Sequence, residues 1–383
     1  MAAILEGKEG KNSLNFRRSD LQRGVGPREE PPALKWPFFY CKISNDMKKY
    51  HIITFGCQMN KSDSERISAD LENKGHKPAA EMDEADLVVV NMCSVRQSAV
   101  DRVLGLTKKF AELKIKNQKS KIVLTGCVLK KDEIKFRGIF DSVRTQPWLS
   151  SYAKSKSKYI PISNGCDNFC TYCVVPHTRG PLVCRGHKDI IKEVKDAVKS
   201  GVKEIWLLGQ NVNSYLSYYR CGRRAIKITF SKLLEMVNDI PGEFQIRFMS
   251  PNPADFTDEL IETMAKCQKA AKFLNLPVQS GDDEILKRMN RRYTVGQYKN
   301  LVKKIREKIP NVNLSTDVVV GFPGETKKQF DNTVKLFKQI KFNIAYISKY
   351  SPRPGTAAFR LKDNVPIREK KRREQCLKKL LQS

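Results

Sequence analysis

The sequence predicts an α/β protein in two parts: an N-terminal open parallel-sheet domain, then a partial (β/α)6 barrel. Three observations carry this. From residue 49 onward, strand-length apolar runs alternate with helix-period segments, and such βαβα order implies parallel strands joined by right-handed crossovers. The first three strands each end in a cysteine. Six further β-α units follow, which points to an open relative of the eight-fold barrel.

Residues 1–47 show no sustained period, and "GVGPREEPPALKWP" reads as an irregular extension rich in turn-forming residues. The first domain is expected over 48–140. "YHIITFGC" is strand-like, "SDSERISADLENKG" is a helix stopped at Gly75, "DLVVVNMC" is a second strand, "SVRQSAVDRVLGLTKKFAELKIKN" is mostly helix, and "KIVLTGC" is a third strand. Those strands end in Cys57, Cys93 and Cys127. Parallel strands bring their C-terminal ends to one sheet edge, where open α/β sheets bind ligands. With neighbours ~5 Å apart, the three thiols are expected in one small volume. A linker is expected over 141–157 and the barrel over 158–360. The barrel strands are "KYIPIS", "EIWLLGQN", "FQIRFMS", "KFLNLPVQS", "NLSTDVVVGF" and "NIAYISKYS". Residues 361–383, including "REKKRREQCLKKLLQS", are expected to form a basic tail.

Composition narrows the function. Lys and Arg total 71 against 41 Asp and Glu, a formal charge of +30, and such an excess attracts polyanions, nucleic acid first among them. The chain has 11 cysteines but no apolar segment of signal-peptide length, which argues for metal binding or catalysis rather than a disulfide framework. No apolar run approaches the ~20 residues that span a bilayer. A cytoplasmic monomer with no membrane partner is expected.

"NGCDNFCTYCVVPHTRG" puts Cys166, Cys170 and Cys173 in a C-x3-C-x2-C pattern, just after the first barrel strand. A zinc site stays open here if His177 or Cys184 supplies a fourth ligand. The other reading is an iron–sulfur cubane with one iron left uncapped, an open metal position that serves as a reaction site. The pattern, with Tyr172 before the last cysteine, resembles the radical S-adenosylmethionine (SAM) enzymes. In that family the open iron chelates SAM, which is then cleaved to a 5′-deoxyadenosyl radical. Further segments narrow the resemblance to the radical SAM methylthiotransferases: "TFGCQMNKSDSER", "VVVNMCSVRQSA", "LTGCV", "CVVPHTRG", "LLGQNVNSY", "LPVQSGDDEILKRMNRRYT", "STDVVVGFPGET" and "YSPRPGTAA". Within it, "CVVPHTRG" and "GQNVNSY" are most similar to members that modify isopentenylated adenosine in tRNA.

The resemblance implies two 4Fe-4S clusters, one on Cys166, Cys170 and Cys173 and an auxiliary one on Cys57, Cys93 and Cys127, together with SAM, a tRNA substrate, an electron donor and a sulfur source. It implies addition of a methylthio group at C2 of N6-isopentenyladenosine near the anticodon. Tyr172, Gly209, Gln210, Arg247, Gln279, Asp317, Gly321 and Gly324 are its cofactor contacts. Arg247 reads equally as a barrel-end ion pair, Gln279 as a structural amide, and the two late glycines as a tight turn. Arg179 is a candidate for substrate or SAM contact, and His177 for a role in the cluster loop. His51 and His76 read as structural, and Cys41, Cys221, Cys267 and Cys376 as ordinary thiols. The alternative targets are threonylcarbamoyl-adenosine in tRNA and a ribosomal protein. The alternative of another class is a zinc-stabilised RNA-binding protein. The family's usual C-terminal RNA-binding barrel has no counterpart before Ser383, and Cys184 stands where Ser is expected.

Overall fold

A computed structural model describes residues 49–95, 97–143, 157–221 and 224–382. The expected extension over 1–47 and Cys41 lie outside the described residues, as does most of the expected linker.

The first domain is the α/β sheet expected. Its elements run β1 (Lys49–Phe55), α1 (Gln58–Asn73), β2 (Lys77–Pro78), β3 (Leu87–Cys93), α2 (Gln97–Gly105), α3 (Thr107–Lys116), β4 (Lys121–Cys127), α4 (Lys130–Lys135) and β5 (Ser142–Val143). All five strands are parallel in the order β2-β1-β3-β4-β5. Every residue of β3 is buried, as a central parallel strand covered on both faces requires. Val88, Val90, Ile122 and Leu124 pack with Val100, Val103, Phe110 and Leu113 of the helices. Because β5 pairs with β4, this sheet runs past residue 140, the boundary the sequence suggested.

The barrel elements are β6 (Ser157–Pro161), β7 (Ser163–Asn164), α5 (Val175–Arg179), β8 (Val183–Cys184), α6 (His187–Lys199), β9 (Glu204–Leu208), β10 (Leu216–Cys221), β11 (Arg224–Thr229), α7 (Phe230–Asn238), β12 (Gln245–Phe248), α8 (Asp258–Lys266), β13 (Phe273–Asn275), α9 (Asp283–Arg288), α10 (Val295–Lys308), β14 (Asn313–Val320), α11 (Lys327–Ile340), β15 (Ile344–Lys349) and α12 (Ile367–Leu380). Strands β6, β9 and β12 form one parallel set and β13, β14 and β15 another. A parallel bridge from Ile246 to Ala270 joins them. The result is a six-stranded arc in chain order. The antiparallel hairpin β10–β11 was not legible as strands, because its sequence is largely polar and basic and its inward residues, Ser217 and Ile228, form no apolar alternation.

The C-terminal segment is not a free tail. Helix α12 packs on the outside of the arc, with Lys370, Arg373 and Leu377 buried. Arg373 Nη1 lies 2.7 Å from the buried Glu325 carboxylate and Lys370 Nζ 2.6 Å from Asp363. Its high charge hid this in the sequence: long basic stems cover apolar surface while their heads find partners. Leu377 has no exposed surface, so Leu377→Ala is expected to cost about 2–5 kcal/mol in chemical denaturation.

The two domains meet along the open seam of the arc. Helix α1 lies against β6, where Ser62 Oγ donates to the Tyr159 carbonyl at 3.2 Å. Arg66 Nη2 pairs with Glu193 of α6 at 2.7 Å, both side chains buried. On the other side, Arg353, in the segment after β15, donates to the Ser94 carbonyl, to Gln97 and, at 3.2 Å, to Asp132.

Candidate active site

The auxiliary triad is built by strand register. Cys93 and Cys127 are direct partners on adjacent parallel strands, and the Ser94 N–H donates to the Cys127 carbonyl at 2.8 Å. Cys57 follows the end of β1 and caps the N-terminus of α1. Two buried amides fix this edge. Asn60 Nδ2 donates to Asn91 Oδ1 at 2.9 Å and to the Met92 carbonyl at 3.2 Å, and Asn91 Nδ2 returns to the Asn60 carbonyl at 2.7 Å. Sequence reading gave neither asparagine a role, although Asn91 inside "LVVVNMC" is a polar residue in an otherwise apolar strand. Gly126 sits at φ +103, where a Cβ would overlap the Met92 carbonyl. Gly126→Ala is expected to cost about 1–3 kcal/mol and to reduce iron bound at this triad, read as iron per chain after reconstitution.

The thiols of Cys93 and Cys127 share a hydrogen bond. That bond and the Arg179 guanidinium bring Cys127 down to about 7, while the same bond and burial push Cys93 well up. Of the two, Cys127 is the thiol biased toward the thiolate, the state that binds metal.

The second triad lies on the loop after β7. Gly165, at φ +81, leaves no room for a Cβ against the Pro181 carbonyl. The Cys166 N–H donates to the Gly180 carbonyl at 3.2 Å. Burial pushes Cys166 up and Cys173 up to about 12, so metal uptake here is coupled to proton loss. The segment after α9 buttresses the loop. Asn290 Nδ2 donates to the carbonyls of Asn168 and Phe169 at 3.1 Å, and the Thr171 N–H donates to the Met289 carbonyl at 3.1 Å. Arg291 Nη1 approaches Cys170 Sγ at 3.4 Å, and Arg292 Nη2 donates to Asn168 Oδ1 at 2.6 Å. Phe169 is held at φ +46 and the residue is 60% exposed.

Both donor sets suit cubane clusters. Each supplies three cysteines, and a cubane takes one per iron, so its ligands need not converge on a point. Among the described residues no group of three or more His, Cys, Asp or Glu side chains could hold a single ion, as zinc requires. Cys184 packs against the barrel core and its Sγ accepts from the Leu216 N–H at 3.4 Å.

Several expected cofactor contacts are engaged with protein. Arg247 does meet a carboxylate, but it is Glu204, 2.8 Å away, and the guanidinium lies 5.4 Å from the Trp206 ring centroid; the strand pairing places Trp206 beside Arg247. Gln210 Oε1 accepts from the Gly165 N–H at 2.6 Å, holding the loop. A Cβ on Gly209 would meet Ser163 Oγ. Gly321, at φ +70, faces the Lys370 side chain of α12, and Gly324, at φ +74, faces Arg288; both are tight-turn glycines packed by protein. Tyr172 packs against Ile285, Met289, Phe322 and Tyr350. Asp317 Oδ2 accepts from Asn275 at 2.9 Å. Gln279 sits at φ +68 on a parallel bridge to Val318, half-buried.

Arg179, expected at substrate or SAM, instead joins the two domains. Its guanidinium reaches Cys127 Sγ, Asn164 and Asp63 of α1. His177 lies in α5 itself. His51 Nδ1 is 3.1 Å from the Ala79 carbonyl, a structural contact. Cys267 is buried in the barrel core, and Cys376 packs against it.

Residues 160–337 match the Radical SAM superfamily, and residues 49–145 match the Uncharacterized protein family UPF0004. The chain is 40% identical over 356 residues to the tRNA-2-methylthio-N(6)-dimethylallyladenosine synthase of Clostridium novyi (strain NT), covering 83% of this chain and 78% of that protein. It is 38% identical over 361 residues to the synthase of the same name from Clostridium tetani (strain Massachusetts / E88), covering 84% and 78%. Among solved structures it is similar to the radical S-adenosylmethionine methyltransferase TsrM from Kitasatospora setae, with cobalamin and a [4Fe-4S] cluster bound. There the TM-score is 0.57 at 14% identity, over 82% of this chain and 77% of that one. That likeness shows the fold alone. Among the described residues no helix is long and apolar enough to cross a membrane.

Proposed function

We propose a function from one fixed point: the chain belongs to the family of the tRNA-2-methylthio-N(6)-dimethylallyladenosine synthases. It is a radical SAM methylthiotransferase, a transferase that uses SAM and 4Fe-4S clusters to add a methylthio group at C2 of N6-isopentenyladenosine in tRNA. The observation that carries this reading is the auxiliary triad. A radical SAM barrel alone needs only Cys166, Cys170 and Cys173, whereas here Cys57, Cys93 and Cys127 meet at the edge of a separate sheet that docks on the barrel.

When bound, the clusters and SAM supply the radical and the sulfur, which an inert aromatic C–H bond requires. The chain's residues do the rest. Asn290, Arg292 and the Met289 carbonyl hold the loop of Cys166–Cys173 rigid. Asn60 and Asn91 hold the sheet edge that carries Cys93. Arg66, Arg179 and Arg353 fix one domain against the other. The charge of +30 provides the attraction for tRNA. An external electron donor and a sulfur source complete the reaction, and the chain acts as a cytoplasmic monomer.

The exposed side chain of Phe169, held at φ +46, gives a nucleobase a face on which to stack. Phe169→Ala is expected to weaken binding of an isopentenylated anticodon stem-loop by about 1–3 kcal/mol, and Phe169→Tyr to retain it. Iron analysis tests the two-cluster reading: anaerobic reconstitution should give about eight irons per chain, two cubanes of four each, and about four would refute it. Nucleoside mass analysis tests the substrate. Persistence of methylthio-isopentenyladenosine in a strain lacking the gene would redirect the reading to threonylcarbamoyl-adenosine or a protein target.

A further inference from the structure

Arg179 stands between the two triads. It is the last residue of α5, the short helix that follows Cys173. Its backbone stays with the radical loop: the Arg179 carbonyl accepts from Asn164 Nδ2 at 3.1 Å, and the next carbonyl, of Gly180, accepts the Cys166 N–H. Its side chain leaves that loop for the other domain. Nε donates to Cys127 Sγ at 2.9 Å, Nη2 pairs with Asp63 at 2.8 Å, and Nη1 donates to Asn164 Oδ1 at 3.0 Å. Only 6% of the side chain is exposed.

A guanidinium buried to that degree is costly unless its donors are satisfied and its charge is matched. Asp63 supplies one anionic partner; the sulfur of a cluster cysteine supplies the other. The contact has an electronic consequence. A cation that donates an N–H to a ligand sulfur withdraws electron density from the cluster and raises its reduction potential. The same residue also sets the spacing of the triads, since its main chain is fixed to one and its side chain to the other.

We propose that Arg179 is a positioning residue that locks the auxiliary cluster against the radical loop and sets the potential of that cluster through the N–H it gives Cys127. This rests on the reading that Cys57, Cys93 and Cys127 hold a cluster.

The test is an EPR-monitored redox titration of the full chain reconstituted with both clusters, with the Cys166→Ala/Cys170→Ala/Cys173→Ala variant assigning the auxiliary signal. Arg179→Gln is expected to lower the auxiliary midpoint potential, and Arg179→Lys, which keeps the charge but not the planar donor, to lower it less. Asp63→Asn removes the competing anion and is expected to raise it. That opposition of sign is what a merely structural role would not produce. The ratio of methylthiolated product to 5′-deoxyadenosine formed should fall by about 10-fold or more in Arg179→Gln and recover in part in Arg179→Lys. If Arg179→Gln fails to fold, the rise in Asp63→Asn decides alone. A wild-type chain with about four irons overturns both this inference and the two-cluster reading. A chain with the full iron content whose auxiliary potential is the same in wild type, Arg179→Gln and Asp63→Asn overturns this inference only.

Discussion

Cys166→Ala is expected to abolish both methylthiolation and SAM cleavage, with iron falling from about eight to about four per chain. Cys57→Ala is expected to lose the same amount of iron and the methylthiolated product, yet still to cleave SAM. The contrast follows from where the residues stand. Cys166 is tied through its N–H to Gly180 in the barrel loop, with Cys170 and Cys173 on the same loop. Cys57 caps α1 in the other domain, grouped with Cys93 and Cys127. Two equal losses of iron with unequal losses of SAM cleavage assign the radical chemistry to one triad and the sulfur to the other. Cys184→Ala is the control: its sulfur already accepts from the Leu216 N–H, so iron and product should both persist. Loss of SAM cleavage in Cys57→Ala, measured as 5′-deoxyadenosine, would contradict the division of labour.

Arg353→Ala carries the largest expected effect on stability. The guanidinium is buried and reaches the Ser94 carbonyl, Gln97 and Asp132, all in the N-terminal domain. Removing it strands the buried Asp132 carboxylate, whose remaining cation is Lys135 at 3.4 Å. Breaking such a pair from one side costs about 3–5 kcal/mol. Because Arg353 is a tie across the domain seam, the loss should fall on docking. Denaturation monitored by intrinsic fluorescence is expected to change from one transition to two, the N-terminal sheet melting first. Arg353→Lys should retain part of the tie through charge alone. A single unchanged transition in Arg353→Ala would show that the seam does not depend on it.

The large features of the fold were legible because they are repetitive. Short apolar runs mark the parallel strands covered on both faces, a period of 3.6 marks the helices between them, and the three cysteines at strand ends inherit their proximity from parallel register, seen directly in the pairing of Cys93 with Cys127. Single side chains were less legible. Arg247 faces Glu204 because β12 pairs with β9 in one particular register, and register is a long-range fact. At Gly321 and Gly324, expected as cofactor glycines, a Cβ would meet Lys370 and Arg288, neighbours that no local pattern announces. Helix α12 looked like a tail because its buried surface belongs to lysine and arginine stems rather than to an apolar stripe. The interdomain arginines, Arg66, Arg179 and Arg353, carry no local signal at all. Their partners lie far away in sequence, and nothing short of the docked domains brings them together.

The most direct test is the product itself. The full chain, reconstituted with iron and sulfide and supplied with SAM, a reductant and an anticodon stem-loop bearing isopentenyladenosine, is digested and its nucleosides are weighed. The account predicts adenosine carrying both sulfur and a methyl group at C2. A nucleoside carrying a methyl group without sulfur, the product of a methyltransferase built on the same fold, would contradict it.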